Sequence, residues 1–124
     1  MLFRSDVIFG AGGKTGNGAV TAAAQRGAYA IGVDADQYYG LPEAAPRMLS
    51  SAMKLITPGV LNGIKLAKAG TLPSGNYYGD AGYAPYHDLE NEVPAEVKAK
   101  MEEIAAGLLD GSITTDVPPV KPAE

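Results

Sequence analysis

Apolar residues in this chain come in short runs separated by segments rich in glycine, proline and charged residues. The first, Asp6-Val7-Ile8-Phe9, stops at Gly10. A β-branched and aromatic run without alternation predicts a buried strand in a sheet covered on both faces. Val20, Ala23 and Ala24 then recur at helical spacing before Gly27, which predicts a helix with a stripe small enough to lie close on a sheet. Thr15 or Asn17 is the expected N-cap and Gly27 the stop. Tyr29-Ala30-Ile31-Gly32-Val33 is the next apolar run. A strand, a helix and a strand at this interval predict a βαβ unit with parallel strands.

Beyond a turn-rich loop holding Gly40, Pro42 and Pro46, Met48-Leu49-Ser50-Ser51-Ala52-Met53 reads as a third strand. Val60, Leu61, Ile64 and Ala67 predict a helix that Pro58 opens near its first position and Gly70 closes. Residues 72–85 are dominated by Gly, Tyr and Pro and hold one strand, near 77–82. Pro94 opens the most regular helix: Val97, Met101, Ile104 and Leu108 share one face, Lys98, Lys100, Glu102 and Glu103 lie off it, and Gly111 ends it. Residues 117–124 contain three prolines and are expected to fray. The fold class is therefore α/β, a mostly parallel sheet flanked by helices.

Three places carry candidate chemistry. Gly10-Ala11-Gly12-Gly13-Lys14-Thr15-Gly16 joins a strand to a helix start, where free backbone N–H groups suit an anionic or polyhydroxy ligand. Its spacing is not that of a nucleotide loop: Ile8 stands where a P-loop needs glycine, and Thr15 where a dinucleotide fingerprint needs one. A plain tight turn explains the glycines equally well. Asp34 directly follows a strand, at the end where α/β proteins bind ligands, and its carboxylate can accept two sugar hydroxyls. A turn-capping role for Asp34 or Asp36 stands beside that reading, as a solvated surface charge does for Lys54 at the end of the third strand. His87 adjoins Asp88 but lacks a nucleophile nearby in sequence, so it reads as a loop histidine bonded locally. The loop tyrosines Tyr38, Tyr39, Tyr77, Tyr78, Tyr83 and Tyr86 read as anchors.

Composition narrows the classes. The 124 residues are 46% hydrophobic and 19% charged, the balance of one folded domain and not of a disordered chain. A net charge of -4 with scattered basic residues argues against nucleic acid as a partner. No run approaches the roughly 20 apolar residues of a membrane span. Without cysteine and with a single histidine, thiolate chemistry and Cys- or His-rich metal sites are excluded, and no cofactor is implied.

The order Gly12-Gly13-Lys14-Thr15-Gly16-Asn17-Gly18, then Ala30-Ile31-Gly32-Val33-Asp34-Ala35-Asp36-Gln37, then Ser50-Ser51-Ala52-Met53-Lys54, then Gly82-Tyr83-Ala84-Pro85 resembles the basic membrane protein family. These are nucleoside-binding lipoproteins of ABC transporters, similar to purine nucleoside receptors and built on the type I periplasmic-binding-protein fold. The resemblance implies a two-lobed, non-enzymatic protein, more than twice as long, that closes over a purine nucleoside. It also implies a permease partner and an extracytoplasmic location, with membrane attachment only through a lipid anchor that this chain does not carry. On that reading residues 6–116 are the C-terminal portion and residues 1–5 a foreign start. The helix over 58–69 would pack at least partly on a missing N-terminal lobe. Asp34 and Lys54 would hold the ribose hydroxyls while Gly12, Gly13, Thr15 and Asn17 line the cleft; the groups that read the base lie upstream in the family. Two alternatives differ in class: a small α/β enzyme acting on a nucleotide or sugar phosphate through Asp34 or His87, and a single-lobe interaction module without a ligand.

Overall fold

The structure is a computed structural model that describes residues 5–115 and residue 117. The expected foreign start and frayed tail fall almost wholly outside the described residues. The chain forms two compact units, Met1–Glu92 and Val93–Glu124.

The first unit is a four-stranded open sheet in the order β1 (Val7–Phe9), β2 (Tyr29–Asp34), β3 (Met48–Lys54), β4 (Ala81–Tyr83). The first three strands run parallel and β4 is antiparallel to β3. Helix α1 (Gly13–Gln25) joins β1 to β2, the single turn α2 (Gln37–Gly40) follows β2, and α3 (Ile56–Lys68) follows β3. Short 3-10 turns sit at Ala45–Arg47 and His87–Leu89. The α/β class and parallel βαβ unit are those expected from the apolar runs.

Val20 of α1, Ala30 of β2, Ala44 and Met48 form the buried core, with Ala24 and Leu41 packed against it. The small stripe of α1 matters because the helix lies very close to the end of β1. A Cβ on Gly16 would stand 2.1 Å from the Gly10 carbonyl oxygen, and one on Gly10 would stand 2.3 Å from Val20 Cγ2. Only glycines allow this approach.

Four features differ from expectation, and the first is that the strand expected near 77–82 covers only Ala81–Tyr83, as β4. Strand β1 is not covered on both faces: Ile8 and Gly10 face α1, whereas Val7 and Phe9, at the alternate positions, are 43% and 55% exposed. A run of three apolar residues at a sheet edge carries no period that would reveal its open face. Neither Thr15 nor Asn17 caps α1; the helix begins at Gly13 behind Gly12, which has no side chain to cap with. Positive φ angles of 144° at Gly12 and 56° at Gly13 turn the chain straight into the helix. Helix α3 begins at Ile56, two residues before Pro58, and Pro58 still lies in the first turn, where its missing N–H leaves no helical bond unmade.

The second unit holds α4 (Ala95–Asp110), preceded by Pro94. Gly111 takes the left-handed conformation at φ 80°, and the Ile113 N–H donates back to the Gly107 carbonyl at 2.9 Å, the bond that closes a helix C-terminus. Ser112 N–H donates to Asp110 Oδ1 at 2.8 Å. The Ser112 hydrogen bonds hold the Asp110 carboxyl below its ordinary range.

Candidate functional site

Parallel pairing sends β1, β2 and β3 out at one edge of the sheet, and the three segments that leave these strands meet there. After β1 come Gly12 and Gly13 and the first turn of α1. The N–H groups of that turn have no partner within the helix. Thr15 is exposed on the turn and Asn17 is half-buried. Asp34 ends β2 and Lys54 ends β3. Their positions are nearly level, since Asp34 pairs with Met53 in the register, and Lys54 Nζ lies 2.6 Å from Asp34 Oδ1. Both side chains are more than half exposed, so solvent weakens the pair and a polar ligand can divide it at modest cost.

The turn after Asp34 is held from three sides. Asp36 caps α2, its Oδ1 accepting from the Tyr38 N–H at 3.2 Å. The Gln37 N–H donates to Oγ of the fully buried Ser51 at 3.1 Å, and Gln37 Nε2 donates to Asn17 Oδ1 at 3.0 Å. Asn17 therefore links the glycine turn to the Asp34 turn in place of capping its own helix. Gly32 makes this possible, because a Cβ there would stand 2.6 Å from Ser51 Oγ and 2.8 Å from Gln37 Cβ. Asp34 itself has φ 73°, a left-handed angle uncommon for any residue with a side chain.

His87 is not bonded locally, as its neighbour Asp88 suggested. Its Nε2 lies 2.8 Å from Asp36 Oδ2, across 51 residues of sequence. Its ring stacks on Tyr38 with centroids 4.0 Å apart and meets the edge of Tyr39. Asp88 instead accepts from the Tyr38 hydroxyl at 2.7 Å. That hydrogen bond, with desolvation and the Asp88 charge adding to it, raises the Tyr38 phenol above its ordinary range. Tyr29 is raised in the same way by its hydrogen bond to Glu92.

The sheet edge and its glycine turn fall within a stretch of sequence shared with known proteins. Residues 4–79 match the model of the Bmp family, described as ABC transporter substrate-binding protein PnrA-like. The chain belongs to the Bmp family. A solved structure from Bacillus halodurans, titled as a transcriptional activator of the comK gene, is similar at 23% identity and a TM-score of 0.74. The match covers 89% of this Bmp chain and 38% of that one, and at such identity it speaks for the fold alone. No curated protein matches the sequence.

All six residues singled out in the Bmp sequence pattern thus lie at one sheet edge. Gln37, Ser51, Asp36 and His87 were not among them. Asp36 and Gln37 belong to the Asp-x-Asp-Gln string and Ser51 to the Ser-Ser-Ala-Met-Lys string that carry the resemblance, and the turn-capping role read for Asp36 is the one it plays on α2; His87 offers no local signal of its contact with Asp36. Among the described residues no group of three or more acidic or histidine side chains is placed to hold a metal ion, and no helix is long and apolar enough to cross a membrane. An open groove of about 530 Å3 runs beside Lys54, lined by Leu55, Ile56, Val60, Leu72 and Tyr77. It shares only Lys54 with the six.

Proposed function

We propose that this chain supplies one side of a ligand-binding cleft in an ABC importer and grips the sugar of a nucleoside, specifically a purine nucleoside. The observation that carries the reading is the Asp34 and Lys54 pair, 2.6 Å apart at the sheet edge that also bears the glycine turn. Vicinal ribose hydroxyls offer two donors to a carboxylate and lone pairs to an ammonium, so a sugar can replace each charged group's partner without leaving either unpaired. Gly12, Gly13, Thr15 and Asn17 line the same edge and offer backbone N–H groups, a hydroxyl and an amide. Binding and release are the whole of this activity; no bond is made or broken.

Residues 6–116 take the part of a C-terminal lobe in this account, with a second lobe supplying the groups that read the base. Membership in the Bmp family and the 38% span of the similar structure support it. A permease partner and an extracytoplasmic location belong to the same proposal. With half of the contacts and nearly the full cost of immobilising a ligand, the isolated chain should bind inosine or adenosine only in the millimolar range, about 4 kcal/mol. Titration of the 15N-labelled chain by NMR is the test. Expected are saturating shifts confined to residues 12–17, 34–37 and 54, lost in Asp34→Ala. Shifts elsewhere, or none up to the solubility of inosine, would overturn the assignment.

A further inference from the structure

Asp34 bears its carboxylate on a backbone that a side chain disfavours. Among the described residues only two non-glycine residues have positive φ, Asp34 at 73° and His87 at 46°. Such angles persist where surrounding contacts hold them, and they gather at functional sites. These two residues are joined through one side chain, Asp36, two residues after Asp34. Its Oδ1 accepts from the Tyr38 N–H and its Oδ2 lies 2.8 Å from His87 Nε2. A carboxylate only accepts, so the imidazole Nε2–H is the donor. The contact is well enclosed, with side-chain exposures of 13% for His87 and 21% for Asp36. The ring is fixed by its stack on Tyr38, which is tied in turn to Asp88, the neighbour of His87.

The Ala35 N–H donates to the Val33 carbonyl at 3.0 Å and closes a three-residue turn around Asp34, a strained conformation when φ at its centre is positive. The Asp34 carboxylate faces Lys54 through Oδ1, so side-chain restraint on this turn comes from the residues that follow it. We propose that the Asp36–His87 contact is a clasp that holds the Asp34 turn in its ligand-ready shape, which makes His87 a positioning residue of the site. The clasp rests on the reading of Asp34 as a ligand group for its purpose, though not for its existence. Loss of the His87 donor leaves a half-buried carboxylate oxygen unpaired. The turn then relaxes toward commoner backbone angles and carries the Gln37 N–H away from Ser51 Oγ.

The test uses the whole 15N-labelled chain without ligand, reading the exchange rate of the Gln37 amide and the backbone shifts of Asp34. In His87→Ala and Asp36→Ala the Gln37 amide should exchange at least fivefold faster, and the double variant no faster than either single one. His87→Gln restores a side-chain N–H donor and should stay within twofold of the parent. His87→Phe keeps a ring against Tyr38 but has no donor, and should behave as His87→Ala does. Parent-like exchange in His87→Phe, or additive effects in the double variant, would overturn the clasp. Inosine titration separates the two readings. A parent chain that ignores inosine while His87→Phe loosens the turn removes the ligand assignment and keeps the clasp. Equal inosine shifts at Asp34 in parent and His87→Phe would end the positioning role even with the ligand assignment intact.

Discussion

Helices α1 and α3 are both thirteen residues long, and both start at the carboxyl edge of the sheet, directly after β1 and β3. They end in opposite states. Helix α1 buries Gly16, Val20 and Ala23, whereas α3 buries nothing and exposes Ile56 by 63%, Val60 by 58%, Leu61 by 52% and Ile64 by 60%. The helix with the larger apolar side chains is thus the one left uncovered. A stripe of small residues is what a close helix-on-sheet contact demands, and α1 has found its sheet. The stripe of α3 is bulky, regular and unmatched by any surface among the described residues of its unit. In the proposed account that surface belongs to a second lobe, and the groove beside Lys54 is the space such a lobe would close.

The contrast is sharpest in the core. Met48→Ala, at a side chain only 1% exposed, should lower stability to urea by about 2 to 5 kcal/mol. Gly16→Ala adds a single methyl group, yet its carbon meets backbone at 2.1 Å, where no side chain can swing aside. A loss of about 3 kcal/mol, at the upper end of overpacking costs, is expected. A normal urea midpoint for Gly16→Ala would mean that α1 does not lie as close to β1 as described.

Next in size are the charged groups at the ends of β2 and β3. Asp34→Ala and Lys54→Ala should each weaken nucleoside binding by about 1.5 to 3 kcal/mol, the range for charge-assisted hydrogen bonds, and so carry a millimolar Kd beyond reach of titration. Their effect on urea stability should stay within about 1 kcal/mol, because the pair is exposed. Binding that survives either change, or stability that collapses with it, would recast the pair as a structural contact.

Much of the fold was readable from the residues alone, for physical reasons that differ from place to place. The uncharged run Tyr29-Ala30-Ile31-Gly32-Val33 before Asp34 announces β2, and Met48-Leu49-Ser50-Ser51-Ala52-Met53 before Lys54 announces β3, because buried strands tolerate few charged residues. The open face of β1 stayed hidden, since three residues have no period. The expected N-cap Thr15 and the opening Pro58 pointed to helices that in fact begin two residues before each of them, because positive-φ glycines in one case and a tolerated first-turn proline in the other moved the boundary. The placement of Asp34 and Lys54 at strand ends was reachable from the apolar runs, and the ligand role proposed for them comes from the family resemblance. The contact between Asp36 and His87 was not, as it depends on how β4 and the His87–Leu89 turn fold back over β3.

Smaller effects arise from titration. The Tyr38 phenol is raised by its hydrogen bond to Asp88. The contribution of that contact is therefore complete below the unfolded tyrosine pKa of about 10 and is lost as pH rises through the higher folded value. Ultraviolet titration should show a late component from Tyr38 and Tyr29, and Tyr38→Phe should remove Tyr38's share of it while Tyr29's remains. Asp110, lowered by Ser112, behaves in the opposite sense. Its contribution is present above the unfolded carboxylate pKa of about 3.9 and is lost as pH falls through the lower folded value. The Ser112 amide shift should track that acid transition.

The smallest expected effect is the one that decides what α3 is for. Val60 and Ile64 are more than half exposed, so Val60→Ser and Ile64→Ser give up little burial, and serine costs about half a kcal/mol or less in helix propensity relative to a β-branched residue. Each should therefore change the urea stability of this chain by no more than about 0.5 kcal/mol, the usual range for surface positions. A loss above about 1.5 kcal/mol would show that the chain buries these side chains itself, and the contrast with α1 would disappear. In a longer protein carrying a second lobe the same substitutions should cost roughly 1.5 to 3 kcal/mol each, the value of a buried aliphatic side chain. Comparing the two settings isolates what the second lobe contributes, because the helix and its substitutions are the same in both.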